Sequence, residues 1–432
     1  MSESILITDA LVVAQGTGSA PFLGWVAVRA GRIEAVDAGP PPDGGRFDRV
    51  IAANGGVLIP GLINAHAHSH STLTRGSAEG LPLEEWLPVI IGEMRRLTDE
   101  QAYCAALVTY AEALLSGTTC LVDMCLRPAV AARAAAALGI RGGHRALCRR
   151  RDGDRPDPGA ESRTDRALRR PPGRGPGLGR AARAVDLQRR AGPRGGGAAR
   201  HHDVGIHTHC SETQAAEAAT RERTGRSQVA HLDHLGCSGR RPCWPIASGW
   251  RTPTKRPLAA RRRPCRALPA IQPEARVGHR AEFRNTRAQG INVALGTDGA
   301  KANNRLDQFD TMKFASLLPK GVACDATALP AGDVLDMATR HGAAALGLEA
   351  GRIAPGLRAD LVLLHADRVH LQPVLPQTIV TNLVHAARGG DVDYRAGRRQ
   401  GRGRWAVAWS RCRKAELARQ ARDAASALLA GA

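Results

Sequence analysis

The stretch that most constrains this 432-residue chain is GGVLIPGLINAHAHS, residues 55–69, in which His66 and His68 follow a short apolar run. If the stretch is a strand, residues i and i+2 point to the same face, because side chains alternate along a strand. Two neutral imidazoles held side by side can bind a divalent metal from one wall of a pocket. The pair therefore predicts a strand that ends in half of a metal site, although an HxH pair alone also occurs in purely structural settings.

The charge of the chain is strongly positive. Its 61 Lys and Arg residues against 40 Asp and Glu give a formal net charge of +21. Such an excess is typical of proteins that bind nucleic acid or an acidic surface. However, the basic residues are almost all arginine, and aromatic residues, on which bases stack, make up only 3% of the chain. A nucleic-acid partner is therefore not favoured.

The N-terminal residues and the spacing of the cysteines indicate the cellular compartment. The first residues carry Glu and Asp and lack the positive start and apolar core of a signal peptide. No window reaches the roughly 18 apolar residues that a membrane span needs. The ten cysteines form no CxxC pair and no regular spacing, so neither a zinc ribbon nor a disulfide framework is indicated. We expect a cytoplasmic protein with no membrane partner.

Strands and helices alternate in the first third of the chain. Short strands are predicted within 4–13 and 25–36, and a further strand over 118–123. Helices are predicted over 82–97, 102–115 and 128–138, where apolar residues recur at helical spacing. This alternation predicts an α/β protein with a parallel sheet, either closed or doubly wound.

A second pair of histidines lies in VGIHTHCSET, residues 204–213. His207 and His209 lie on a predicted strand, and Glu212 follows His209 by three positions. Taken singly, such a histidine is usually a core residue and such a glutamate a solvated loop carboxylate. Beside a bound metal, however, Glu212 could take a proton from water and deliver it to a leaving group.

Asp298 ends a third predicted strand, residues 290–299, and Gly296 and Gly299 beside it leave room for a close approach. An aspartate before glycine is also common in turns. In a (β/α)₈ barrel, however, the active site is built at the carboxyl ends of the strands, which is where these residues are expected. The histidines and Asp298 together favour a site for zinc or iron(II) with one position open for water.

The motifs taken together resemble those of the amidohydrolase superfamily. They are PGLINAHAH at 60–68, LPLEEWL at 81–87, IHTHCSET at 206–213, and LGTDGA at 295–300 followed by Asn303 and Asn304. The chain most resembles the 5′-methylthioadenosine/S-adenosylhomocysteine deaminases, with triazine hydrolases and guanine deaminases as related branches. The segment AGRIAPGLRADLV at 350–362 is similar to the point where these proteins return to a small β-sandwich.

The resemblance implies a fold and a division into domains. The fold is a (β/α)₈ TIM barrel of the metal-dependent hydrolase type, with a small β-sandwich built from both chain ends. Residues 1–56 would form the first part of the sandwich and residues 57–350 the barrel. Residues 351–432 would complete the sandwich and add a tail helix.

The resemblance also implies the roles of particular residues. One divalent metal, most often Zn²⁺ with Fe²⁺ as the alternative, would be bound by four side chains: His66, His68, His209 and Asp298. Asp298 would assist proton transfer and contact the substrate as well. Glu212 would be the proton shuttle and a second substrate contact, and Glu93 would bind substrate after the Trp-Leu motif.

The implied reaction is hydrolytic deamination of a purine nucleoside, such as 5′-methylthioadenosine or S-adenosylhomocysteine, by metal-activated hydroxide. The partner would be this small molecule, and a homo-oligomer is left open. One alternative is hydrolysis of another heteroaromatic ring, such as a chloro- or aminotriazine or guanine. Alternatives of another class are an inactive relic and a basic nucleic-acid-binding protein, whose binding would fall steeply with salt.

Two stretches depart from the family pattern. Residues 142–203 and 236–288 are rich in Arg, Pro and Gly, and two histidines expected there, one orienting hydroxide and one contacting substrate, are missing. A one-nucleotide shift lets residues 242–250 and 268–282 spell family-like motifs. We therefore hypothesise compensating frameshifts, and another near residue 393, which would make the positive charge a by-product. We expect these stretches to pack poorly and activity to be impaired; an intact reading frame in resequenced DNA would contradict the hypothesis.

Overall fold

The computed structural model describes residues 3–15, 19–148, 184–185, 206–209, 214–234, 243–246, 266–267, 292–396 and 411–430. Most of the Arg-rich stretches 142–203 and 236–288 lie outside these ranges, and so does Glu212. The predictions of poor packing and of a proton shuttle therefore concern residues that the structure does not describe.

The elements are numbered in chain order. The strands are β1 Ser4–Val12, β2 Phe22–Arg29, β3 Arg32–Asp37, β4 Arg49–Ala52, β5 Val57–Pro60, β6 Leu62–His68, β7 Thr118–Cys125, β8 Arg141–Cys148, β9 Ala184–Val185, β10 Ile206–His209, β11 Cys243–Ile246, β12 Arg266–Ala267, β13 Asn292–Val293, β14 Asp298–Gly299, β15 Leu361–Leu364 and β16 Val392–Ala396. The helices are α1 Leu83–Arg96, α2 Asp99–Leu115, α3 Pro128–Leu138, α4 Gln214–Thr224, α5 Gln228–His234, α6 Gln308–Ala323, α7 Ala331–Ala338, α8 Arg340–Leu346, α9 Ile379–His385 and α10 Arg411–Ala430.

Both ends of the described chain meet in one seven-stranded sheet. Its order is β16-β15-β5-β1-β2-β3, and β4 pairs with β1. β15 runs antiparallel to β5, with Val362 opposite Ile59. Apolar residues of both chain halves, such as Val26 and Leu361, are buried in one cluster on this sheet. The expected meeting of the chain ends is confirmed, whereas the domain boundaries at 56 and 350 stay a prediction.

The remaining strands are parallel and follow the order of the chain. β14, β6, β7, β8 and β9 form one sheet, and β10 pairs with β11 and β12 with β13. β9 lies beside β10 and β11 beside β12, and β14 returns to pair with β6. Paired parallel strands have their carboxyl ends at the same edge, and residues at the carboxyl ends of β6 and β10 meet Asp298 of β14 at one rim.

Helix α2 supports β7 from outside. It begins with a capping box between Thr98 and Gln101, which satisfies the first free N–H groups of the helix. Tyr110 and other buried residues of α2 pack with Leu121 of β7 and with α3 in one apolar cluster. This packing fixes the position of β7, which borders the HxH strand.

One predicted strand is interrupted. The strand expected over 290–299 is present in the described residues as β13 and β14, because the segment leaves β12 and joins β6. Helices α7 and α8 are separated at Thr339, whose φ of −129° and ψ of −95° are not helical. None of the helices in the described ranges is both long enough and apolar enough to cross a membrane.

Candidate metal centre

The HxH pair lies at the carboxyl end of a buried strand, as the sequence predicts. Every residue of β6 from Leu62 to Ala67 is buried. His66 is 1% exposed and His68 is mostly buried. Since the two residues are separated by one position, they share a face of β6. A short helical turn over Ser69–Thr74 then leads the chain away from the site.

Asn64 lies two positions before His66, on the same face of β6. Its side chain holds the segment that carries Asp298 against this strand. Its side-chain nitrogen donates to the hydroxyl of Thr297 at 2.7 Å, and its oxygen accepts from the backbone N–H of Thr297 at 3.1 Å. All these groups are buried, so both bonds form away from water. They fix the residue immediately before Asp298 against the strand that carries His66 and His68.

Gly296 and Gly299 permit the close approach that the sequence predicts. A Cβ atom at Gly296 would lie 2.7 Å from the backbone nitrogen of His66. At Gly299 a Cβ would lie 2.5 Å from Oγ of Ser71 and 3.1 Å from Cβ of His68. Larger residues would push this segment away from β6. Asp298 between them has a φ of +60°, a left-handed conformation that aspartate tolerates better than most residues.

Three histidines and Asp298 converge at the rim. Oδ1 of Asp298 lies 3.4 Å from Nε2 of His66 and 3.2 Å from Nε2 of His68. Nε2 of His209 lies 3.3 Å from Nε2 of His68. Among the described residues, His66, His68 and His209 form the one histidine, cysteine or carboxylate group with metal-binding spacing.

Three of the six separations among these four side chains match those of a tetrahedral site. Ligands about 2.0–2.1 Å from a zinc ion at the centre of a tetrahedron stand roughly 3.3 Å from one another. The 3.2, 3.3 and 3.4 Å between Asp298 and His68, His68 and His209, and Asp298 and His66 agree with that edge length, whereas the group with all its ligand atoms within 4.8 Å of one another comprises the three histidines without Asp298. The donor set of imidazole nitrogens and one carboxylate also suits zinc or iron(II). The residues therefore fit a divalent metal ion.

The hydrogen bond on the far side of the His68 ring fixes its tautomer. Nδ1 lies 2.7 Å from the carbonyl oxygen of Met124, and a carbonyl can only accept, so Nδ1 carries the hydrogen. In a neutral ring Nε2 then has a lone pair directed at Asp298. Nε2 of His66 is also buried and has no hydrogen-bond partner in the part of the chain that the structure describes. A cation would satisfy both atoms.

Burial and neighbouring side chains set the charge states of His66 and Asp298. Burial lowers the pKa of His66, and the neighbouring His68 lowers it further. Burial alone would raise the pKa of Asp298, but the imidazoles around it outweigh this effect and hold that pKa well below its usual range. A neutral imidazole and a carboxylate are the forms that bind metal.

Asp123 was not singled out by the sequence, yet it anchors the turn after His68. It is completely buried at the carboxyl half of β7. Its Oδ1 accepts from the backbone N–H of Ser69 at 2.9 Å, and its Oδ2 accepts from Oγ of Ser69 and from the Tyr110 hydroxyl, both at 2.6 Å. Burial raises the pKa of Tyr110, so its hydroxyl remains a donor.

Two predicted site residues lie away from the three-histidine group. His207 is completely buried, and its Nε2 lies 3.1 Å from Nδ1 of His66, on the side of that ring away from Asp298. Glu93 is 8% exposed, and its Oε2 lies 2.5 Å from Nζ of Lys301, which is itself buried. The buried lysine was not expected, because no local pattern links two residues 208 positions apart.

His70 follows the HxH pair by two positions. Its ring lies beside that of His68, with centroids 5.4 Å apart, and it is outside the three-histidine group. Burial lowers the pKa of His70 well below its ordinary value, so the ring is neutral at pH 7.

The chain is similar to known proteins along most of its length. The model of the amidohydrolase family matches residues 57–394. A 5′-deoxyadenosine deaminase of Methanothermobacter thermautotrophicus is 35% identical over 415 residues, which cover 91% of each protein. A 5-methylthioadenosine/S-adenosylhomocysteine deaminase of Moorella thermoacetica is 34% identical over 409 residues, 90% of this chain and 91% of the relative.

A solved structure shows the same fold. An adenosine deaminase from Xanthomonas campestris with bound zinc superposes with a TM-score of 0.83 at 26% identity, covering 99% of this chain and 98% of the other. The predicted (β/α)₈ barrel with a small β-sandwich is thereby confirmed as the fold class. The zinc of that structure and the three-histidine group here support one divalent metal. The chain belongs to the amidohydrolase family.

Proposed function

We propose that this protein is a metal-dependent aminohydrolase that deaminates the adenine ring of a purine nucleoside, such as 5′-methylthioadenosine or S-adenosylhomocysteine. The observation that carries the proposal is the group of His66, His68 and His209 at metal-binding spacing, with Oδ1 of Asp298 3.2 Å from His68 and 3.4 Å from His66. The names of the 34–35% identical relatives support this substrate class.

The four converging side chains would hold the metal, with Zn²⁺ as the leading identity and Fe²⁺ as the alternative. A divalent ion bound there supplies Lewis acidity and a water whose pKa falls to about 7. The two hydrogen bonds between Asn64 and Thr297, and the contact of Gly296 with β6, would keep Asp298 in place. Preorganisation of this kind matters because small displacements of reacting groups cost large factors in rate.

Two carboxylates, Asp298 and Glu212, would transfer the protons. In the proposed reaction the oxygen of water forms a bond to a ring carbon, the C–N bond to the amino group breaks, and ammonia leaves. One proton of water must reach the departing nitrogen and the other a ring nitrogen. Asp298, an ionised carboxylate, would accept the proton destined for the ring at a carboxylate oxygen and release it to the ring nitrogen. Glu212, three positions after His209, would carry the other proton to the leaving group.

Glu93 would bind hydroxyl groups of the substrate. Its Oε2 is held by Lys301, and its Oε1 lies 3.4 Å from Oγ of Ser77. Lys301 is the cationic partner of this buried carboxylate. A carboxylate oriented in this way would accept hydrogen bonds from the hydroxyls of a sugar.

The ammonia released from candidate substrates tests the proposal. The zinc-loaded protein, the same protein after chelation, and Asp298→Asn would each be offered 5′-methylthioadenosine, S-adenosylhomocysteine, 5′-deoxyadenosine, guanine, and amino- and chlorotriazines. The expected result is release from an adenine nucleoside by the zinc-loaded protein alone. Turnover of only guanine or triazines would favour the other ring hydrolase. Zinc binding without any turnover would favour an inactive relic.

A protein expressed from the repaired reading frame is the matched comparison in this assay. If the two missing histidines matter as the resemblance implies, a protein with residues 142–203 and 236–288 restored should turn over faster than the present chain. Salt-sensitive binding of nucleic acid with no requirement for metal would instead favour the basic binding protein. The cytoplasmic location and the oligomeric state stay predictions, which cell fractionation and light scattering would test.

A further inference from the structure

His207 lies directly behind one of the proposed metal ligands. It is 0% exposed, and its Nε2 lies 3.1 Å from Nδ1 of His66. The ring of His66 meets the rings of both His207 and His209 almost at right angles, with centroids 5.0 and 5.2 Å away. His209 belongs to the three-histidine group and His207 does not. The two histidines of β10 therefore contact His66 in different ways.

The chemistry of imidazole decides which nitrogen donates in this contact. A neutral ring carries one hydrogen, and its position is set by the hydrogen bond that the other nitrogen makes. Nε2 of His66 faces Asp298 at 3.4 Å and can bind a metal only through its lone pair. The hydrogen of His66 must then be on Nδ1, which donates to Nε2 of His207.

The neighbouring ligand shows the same arrangement with a different acceptor. Nδ1 of His68 donates to the carbonyl oxygen of Met124 at 2.7 Å. A backbone carbonyl thus orients His68, whereas a side chain faces the equivalent atom of His66. Outer hydrogen bonds of this type fix the tautomer and ring orientation of metal-binding histidines and raise the basicity of the ligand.

We propose that His207 is a positioning residue that accepts the Nδ1–H of His66 and thereby keeps its Nε2 free to bind metal. The proposal rests on the proposed metal role of His66. His207 itself lies outside the three-histidine group. The positioning role explains why a second histidine precedes His209 by two positions, on the same face of β10.

Two amide substitutions separate this role from a merely structural one. The amide group of His207→Gln reaches about the position of Nε2 and can still accept the hydrogen of His66. The shorter amide of His207→Asn corresponds to Nδ1 and falls short. Both variants are polar and uncharged, so they differ chiefly in where the acceptor lies.

The readout is the affinity for zinc, measured by competition with a chromophoric chelator. H207N should weaken zinc binding by roughly 10–100-fold, the range found for loss of an outer partner, while H207Q stays within several-fold of the wild type. Equal affinity of H207N and the wild type would overturn the proposal, and so would equal losses in both variants. Wild-type protein that binds zinc but releases no ammonia would count against the proposed function alone.

A second measurement on the wild type is independent of whether the variants fold. Nitrogen-15 labelling of histidine in the zinc-loaded protein distinguishes protonated from unprotonated ring nitrogens. The expected spectrum has the hydrogen of His66 on Nδ1 and an unprotonated Nε2 in His207. A hydrogen on Nε2 of His207 would make that atom the donor and overturn the proposal.

Discussion

Nε2 of His68 and Nε2 of His209 lie 3.3 Å apart, although 141 positions separate the two residues in the chain. Their rings are nearly parallel, with an interplanar angle of 12°. In the described residues β6 and β10 do not pair with each other, so this contact depends on the arrangement of the parallel strands around the rim. Nε2 of His68 has a lone pair because its hydrogen is on Nδ1, and in the proposed metal site Nε2 of His209 would present a second lone pair to the same cation.

Removal of His209 should therefore abolish tight metal binding. We expect His209→Ala to raise the dissociation constant for zinc by about 100-fold or more, since loss of even an outer partner costs about 10–100-fold. Competition with a chelator measures the change. His365→Gln, at a half-exposed histidine beside Asp393, is the control and should bind zinc like the wild type. An H209A protein with wild-type affinity would exclude His209 as a ligand.

The hydroxyl of Tyr110 should stabilise the fold through Asp123. Tyr110→Phe removes one of the three donors to this buried carboxylate and leaves the other two, both from Ser69. A hydrogen bond to a charged group contributes about 1.5–3 kcal/mol, so we expect the free energy of unfolding to fall by that amount. Urea unfolding of the metal-free protein measures it. Tyr103→Phe on the same helix is the matched control, and equal stabilities of the two variants would contradict the prediction.

Lys301 should be needed chiefly because Glu93 is buried beside it. Lys301→Met would leave the Glu93 carboxylate without its cation, and breaking such a pair costs about 3–5 kcal/mol. The double variant Lys301→Met/Glu93→Leu removes both charges and should recover most of the loss. Denaturant unfolding of the three proteins forms the test. If the single variant lost less than about 1 kcal/mol, the pair would not be a buried charge pair in solution.

Asp307 should make the stability depend on pH in a defined direction. It caps helix α6, accepting from the N–H of Phe309 at 3.0 Å and from that of Gly389 at 2.8 Å. Burial, despite these bonds, raises its pKa above the usual 3.8. The folded state therefore holds this proton more tightly than the unfolded state, so the contribution of Asp307 to stability falls as pH rises through the interval between the two values.

The variant Asp307→Asn does not titrate and isolates this effect. The difference in melting temperature, variant minus wild type, should increase from pH 4 to pH 7 because only the wild type loses stability through Asp307. Its absolute value also contains the altered hydrogen bonds, so the slope is the quantity to measure by differential scanning calorimetry. If the melting-temperature difference decreased from pH 4 to pH 7, the pKa of Asp307 would not be raised in the folded state, which would contradict the prediction.

The sequence predicts the elements of the site better than their mutual contacts. The strand with His66 and His68 and the roles of Gly296 and Gly299 follow from local patterns, namely alternation along a strand and the absence of a side chain. The convergence of His209 and Asp298 could be expected because the carboxyl ends of parallel strands share a rim. Each of these features follows from a regularity of a single strand or of one fold class.

The remaining contacts depend on side-chain packing between distant segments. Nothing near Glu93 in the sequence indicates that it pairs with Lys301, and nothing near Asp123 indicates that it holds the turn at Ser69. His207 and His209 have the same local pattern, yet one faces the metal-binding atoms and the other the back of His66. Only the three-dimensional arrangement distinguishes them.

The most direct test of the central claim is X-ray absorption spectroscopy at the zinc edge on protein loaded with one equivalent of zinc. We expect imidazole nitrogens and a carboxylate oxygen at about 2.0–2.2 Å around a four- or five-coordinate ion. At a protein concentration above the raised dissociation constant of H209A, the imidazole signal should decrease by one ligand in that variant. Six oxygen neighbours with no imidazole signal would show that the ion is not bound by His66, His68 and His209, and would contradict the account.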